Sequence, residues 1–154
     1  MAVAAGQKLR ASDLAVAAAS GIQTDSGTCA SATYTGTRTG TANVAGTAFS
    51  APNSGNIMVL WAAGISIVTG GFVLVSFQIA TGAVIGSGSV IQAASDNIQV
   101  QGTATAETSE STFYPISGLT AGASYNIQLM YRIGGGATNS TINRPRVAVT
   151  PLLA

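Results

Sequence analysis

The sequence has no histidine, and charged residues make up 7% of its 154 positions, where an ordinary soluble protein carries roughly 25%. Without His, a His-based triad, His metal ligation and His proton shuttling are excluded. The carboxylates are Asp13, Asp25, Asp96, Glu107 and Glu110, and only the last two lie close in sequence. Their Ser/Thr-rich surroundings read as a solvated turn rather than the acid/base pair of a glycosidase. No dense run of oxygen ligands points to calcium, although Asp96-Asn97 is available to a site completed from elsewhere. Gly82 to Gly88 lacks the Lys and the following helix of a phosphate loop. No catalytic, cofactor-binding or metal-binding residue is therefore expected, and the chain is not expected to be an enzyme.

Clustered charge is missing too. Lys8, Arg10, Arg38, Arg132, Arg144 and Arg146 are scattered apart from the last two, and the net charge is +1. Phosphate-driven binding needs a basic patch, so no nucleic acid is expected as a partner. The single cysteine, Cys29, excludes an intrachain disulfide and reads as a small side chain in a Thr/Ser-rich strand. The first residues lack the basic-then-apolar layout of a secretion signal.

What the chain has in abundance is apolar and small neutral residues: 47% are hydrophobic and 19 are glycine. Its most apolar stretch, Asn56 to Ala80, lies in a window from Thr39 to Ser95 free of charge. A membrane helix needs roughly 20 predominantly apolar residues, but Thr69-Gly70-Gly71 interrupts this run and Ser66, Ser76 and Gln78 dilute it. Its many β-branched residues suit a pleated sheet, and Thr-Gly-Gly between two such runs is hairpin chemistry. The stretch is therefore read as a buried hairpin, with no membrane as partner.

Residues 1 to 20 hold the one expected helix, short and started by Ser12 or Asp13. Too short to stand alone in water, it would dock on something larger. From 21 to 46 the chain alternates Thr, Ser and Gly. It reads as an extended arm or edge strands, with strand favoured over coil by the spacing of Thr33, Thr35, Thr37, Thr39 and Thr41. Beyond Thr47 come short strands separated by Gly-rich turns. The clearest puts Tyr125, Ile127, Leu129, Tyr131 and Ile133 on one face and Asn126, Gln128, Met130 and Arg132 on the other. Pro115 suits an edge strand or bulge, and Pro145 an edge strand. The expected fold is all-β: a β-sandwich or jelly roll of about eight strands. Residues 1–46 form its N-terminal anchor and arm, and 47–154 its β-domain.

Within Phe72 to Ala80, Val73, Val75, Phe77 and Ile79 share one face, while Phe72 and Leu74 lie on the other. A sheet with one wet face alternates polar and apolar residues; this strand does not. A second copy of the chain is the expected cover, with Phe72, Leu74 and Trp61 as its contact residues. A surface this poor in charge has little repulsion to keep copies apart. Trp61 and the tyrosines also allow a sugar-binding reading, though single aromatics in strands are more often core or interface.

Four stretches resemble a known family. Ala5-Gly-Gln-Lys-Leu-Arg-Ala-Ser-Asp-Leu14 is similar to the opening of small virion proteins of tailed bacteriophages, commonly described as minor tail proteins. Phe49 to Val59, Phe113 to Leu129 with Gly118-Leu-Thr-Ala-Gly122 and Tyr125, and Arg144 to Pro151 look like the family's β-domain. The Gly-Leu-x-x-Gly-x-x-Tyr pattern also recurs in fibronectin-type sandwiches, where the Tyr locks a turn. The resemblance implies a virion structural protein, attached by its N-terminal segment and trimerising through its β-domain. Lys8, Leu9 and Leu14 would then be the anchor to other tail or capsid proteins. A tail position is favoured, and a capsid decoration or head-fibre role is the alternative. A glycan-binding module contacting the host surface is the second alternative. The chain shows no collagen-like repeat, no coiled-coil heptads and no separate receptor-binding domain.

Overall fold

A computed structural model describes residues 19–152. Ten strands run β1 (Ala19–Ile22), β2 (Ser26–Cys29), β3 (Gly46–Ser50), β4 (Ile57–Ile67), β5 (Phe72–Thr81), β6 (Val90–Gln92), β7 (Val100–Gly102), β8 (Thr108–Ile116), β9 (Ser124–Gly134) and β10 (Ser140–Pro151). They form two five-stranded antiparallel sheets. Sheet A has the order β1-β10-β4-β8 with β2 also on β10; sheet B has β3-β9-β5-β6 with β7 also on β5. The short helix expected ahead of Ser20, and the anchor residues Lys8, Leu9 and Leu14, lie outside the described residues.

The apolar stretch is two strands, but not a hairpin. β4 pairs with β10 and β8, and β5 pairs with β9, β6 and β7. The turn at Thr69–Gly71 carries the chain from one sheet to the other. Gly71 has φ 97°, and a Cβ there would sit 2.3 Å from the Gly134 carbonyl, so this crossing needs glycine. Instead of pairing edge to edge, the two runs meet face to face across the sandwich. Ile57, Val59, Trp61, Ala63, Ile65 and Ile67 point inward from β4; Val73, Val75, Phe77 and Ile79 answer from β5. Trp61 meets Phe77 edge-on at 4.9 Å and donates from Nε1 to the Val75 carbonyl at 3.0 Å. The expected faces of β9 hold: Tyr125, Ile127, Leu129, Tyr131 and Ile133 are all core.

Residues 19–46, expected as an arm, begin as sheet A strands. β1 pairs with Arg146 to Val149 and β2 with Ser140 to Asn143, so together they flank the whole of β10. Between them β10 bulges, with Arg144 at φ 47°. Pro145 therefore sits not on an edge but at a bulge in an inner strand, where it removes no ladder hydrogen bond. Pro115 does lie in an edge strand, β8. The alternating threonines make no continuous ladder. Residues 31–45 turn around the side of the sandwich and touch β9 at intervals, Thr35 exchanging backbone bonds with Tyr131 and Ala45 accepting from Leu129. Hydroxyls in this stretch bond locally, Thr35 with Thr37 and Ser31 with Thr33, which competes with a regular strand.

One ion pair fastens this crossing. Arg38, 3% exposed, donates to Asp25 Oδ1 at 2.8 Å and to the Ile142 carbonyl at 3.1 Å, and its guanidinium lies 5.8 Å from the Tyr131 ring centre. Asp25 also accepts from the Thr41 hydroxyl and from Asn43. The Thr41 bond, then Arg38, holds the Asp25 carboxyl down at about 2. Cys29, at the end of β2 opposite Ser140 of β10, is buried and free, packed in the core with its thiol pushed up by burial.

At the other end of the sheets, Leu119 is buried and Tyr125 Oη accepts from the Thr120 N–H at 3.1 Å. This is the turn-locking tyrosine that Gly118 to Tyr125 suggested.

Two outcomes are expected in urea unfolding. Asp25→Asn leaves Arg38 buried without its counter-charge and costs about 3 kcal/mol at pH 7. Because the folded carboxyl titrates below its ordinary value, the wild-type advantage is complete above pH ~4 and disappears as the pH falls through ~2. Tyr125→Phe removes a single hydrogen bond and costs about 1 kcal/mol.

Candidate functional site

The contact residues expected for a second copy occupy different places. Trp61 and Leu74 are each 3% exposed within the single chain: Trp61 is core, and Leu74 lies on the outer face of sheet B. That face is crossed by the chain's own excursion after β5. Ser76 donates to the Ile98 carbonyl and accepts from the Ser95 N–H. Asn126 donates to the Gly82 and Ser87 carbonyls and accepts from the Gly86 N–H. Half-buried Phe72 lies beside the Arg132 guanidinium, 5.5 Å from its ring centre, and Tyr34 lies at the same distance. Arg132 in turn holds both oxygens of Asp96. Burial, and then the Asp96 carboxylate, push the Tyr34 phenol up to about 12. This cluster ties the 31–35 segment and the Ser95–Ile98 turn to β9. Leu74 is thus buried within the single chain, and residues 82–87 and 95–98 fold back onto its neighbours Asn126 and Ser76 on the same face.

The uncovered apolar face is on sheet A. Side chains pointing outward from its strands line up in two rows set by the ladder. Ser20, Ala148, Leu60 and Phe113 form one row across β1, β10, β4 and β8; Ile22, Arg146, Ala62 and Ser111 form the next. Small residues (Ser20, Ala148, Ala62 and Ser111) share these rows with larger ones and leave a groove of about 580 Å³ between them. Phe113 is 63% exposed, Ile22 65% and Leu60 41%. Among the described residues no carboxylate pairs with Arg146.

Sequence reasoning missed this groove. Phe113 and Leu60 look like ordinary strand residues until the β4–β8 register sets them side by side. The one available signal was that Leu60 falls on the opposite face of β4 from Val59 and Trp61. Chemically the groove is an apolar contact surface with one cation. It offers no nucleophile–base pair, and among the described residues no group of three His, Cys, Asp or Glu side chains gathers to hold a metal. No described helix is long and apolar enough to cross a membrane.

No protein-family model matches the chain, and no curated protein matches its sequence. Among solved structures it is similar to a chain of the T13 IBDV viral particle, with a TM-score of 0.43 and 13% identity over 86% of this chain and 31% of that one. It is also similar to the CBM22-1 xylan-binding domain of Paenibacillus barcinonensis Xyn10C, with a TM-score of 0.38 and 11% identity over 87% of each. A third similarity is to dimeric latent PorU of Porphyromonas gingivalis, at 0.36 and 8%, covering 86% of this chain and 13% of that one. The chain thus spans about a third or less of two of these three proteins.

Because Phe113 is mostly in solvent, Phe113→Thr, which puts a β-branched strand former in β8, is expected to change the unfolding free energy by no more than about 0.5 kcal/mol. The same substitution is expected to lower binding of an environment-sensitive apolar dye, read by its fluorescence.

Proposed function

We propose that this chain is a structural protein of a tailed-phage virion, tail-associated, which joins the particle by its N-terminal segment and assembles with its own copies. The observation that carries this reading is the outer face of sheet A. Ile22, Leu60 and Phe113 lie together in solvent on a protein with 7% charged residues. Scattered exposed apolar residues need no explanation, but a contiguous patch marks a contact surface. The resemblance of Ala5 to Leu14 to phage virion proteins gives that surface a setting. Lys8, Leu9 and Leu14 remain the attachment residues, and a trimer remains the expected assembly.

A capsid decoration or head-fibre protein would present the same surface, and copy number separates the two. Quantitative mass spectrometry of particles against the major capsid protein is expected to find few copies; near-capsid stoichiometry would overturn the tail position. The sugar-binding reading has one supporting observation, the exposed ring of Phe113 beside Ser111 and Arg146. The other groove residues are apolar or small, so the lining suits a protein side chain better than a ring of hydroxyls.

Deleting residues 1–18, which leaves β1 complete, is expected to abolish incorporation into particles while the remaining chain keeps its cooperative unfolding transition. Normal incorporation of the deletion would contradict the anchor.

A further inference from the structure

The groove and the N-terminal segment belong to one contact: we infer that the segment preceding Ala19 in one copy docks in the sheet A groove of a neighbouring copy. This rests on the self-assembly proposed above and names its surfaces.

The groove is a shallow concavity. At about 580 Å³ it has room for a few side chains, the size of site that takes a short segment rather than another globular face. The chain outside the described residues begins at its rim, since β1 supplies Ser20 and Ile22 to the lining. Strand direction then decides between the same copy and its neighbour. Passing backwards from Ile22 to Ala19, β1 moves from the Arg146 row to the Ala148 row and on to Val149. The N-terminal end of β1 thus points along the sheet and away from the groove. A return to the groove of the same copy needs a reversal, whereas a neighbour is within reach: 18 residues extend to roughly 60 Å at about 3.3 Å each.

The segment carries the matching chemistry. Leu9, Leu14 and Val16 are apolar among alanines, and Asp13, its single carboxylate, directly precedes Leu14. Leu14 seated between Leu60 and Phe113 brings Asp13 towards Arg146, while Lys8 and Arg10 stay further upstream, past the rim. A segment-to-groove contact uses two different surfaces of the chain. Such head-to-tail contacts close into rings when the rotation allows, which is how a trimer would arise.

The test is complementation in the full-length protein, read by sedimentation velocity at micromolar concentration. Wild type is expected to sediment as a closed assembly. Leu9→Ser/Leu14→Ser, which spoils the segment, and Leu60→Thr/Phe113→Thr, which spoils the groove, are each expected to sediment as the 15.2 kDa single chain, with unchanged unfolding transitions confirming that they fold. Mixed in equal amounts, the two variants still share one intact segment–groove pair and are expected to give a two-chain species.

A single-chain wild type, an assembled form of either variant, or a mixture that stays single-chain would overturn the inference. Particle incorporation distinguishes this from failure of the virion reading. A segment variant that still assembles in solution but is lost from particles leaves that reading intact and assigns the segment to another virion protein. Normal incorporation of the same variant removes the anchor as well.

Discussion

Trp61 reaches across the sandwich, and the rest of the molecule is arranged so that it can. Its ring packs edge-on against Phe77 and its N–H ends on the Val75 carbonyl, so one side chain supplies apolar contact and satisfies its own polar group. That geometry requires β4 and β5 to lie in different sheets, and the Thr69–Gly71 crossing puts them there. Once the crossing is made, the remaining strands add on either side: β10 and β8 to β4, β9, β6 and β7 to β5. A hairpin would have placed β4 and β5 side by side in one sheet, with no facing layer for Trp61 to reach.

With so little charge, the fold closes its sides by neutral and backbone hydrogen bonds and spends its ion pairs at the crossings. Asp25–Arg38 secures the passage from sheet A to sheet B, Asp96–Arg132 the excursion that covers sheet B, and Glu107–Arg144 the bulge in β10. The first is the most protected from water, with the Arg38 side chain 1% exposed. Exposed pairs such as Glu107–Arg144 are worth less.

Much of this was legible in the sequence, for physical reasons. Period-two alternation identified β9 and its faces, β-branched residues and glycine breaks separated β4 from β5, and Gly118 to Tyr125 announced the locked turn. Three features were not legible. Whether two adjacent strands pair or face each other depends on partners far away in the chain, here β9 and β10. The excursion between β5 and β8 reads as short strands, and its folding onto Ser76 and Asn126 of the outer face depends on contacts distant in sequence. Phe113 and Leu60 become a patch only through the β4–β8 register, which nothing local fixes. Of the residues expected to meet a second copy, Trp61 and Leu74 are buried within the single chain and Phe72 is half-buried, while the exposed apolar side chains Ile22, Leu60 and Phe113 lie on sheet A.

The central claim is that this open face becomes buried on assembly. Hydroxyl-radical footprinting across a dilution series measures it directly, with Met130 on the outer face of sheet B as the internal reference. Oxidation of Phe113 is expected to fall as concentration rises through assembly while that of Met130 stays constant. Equal oxidation of Phe113 at all concentrations, in a protein shown to assemble over that range, would contradict the account.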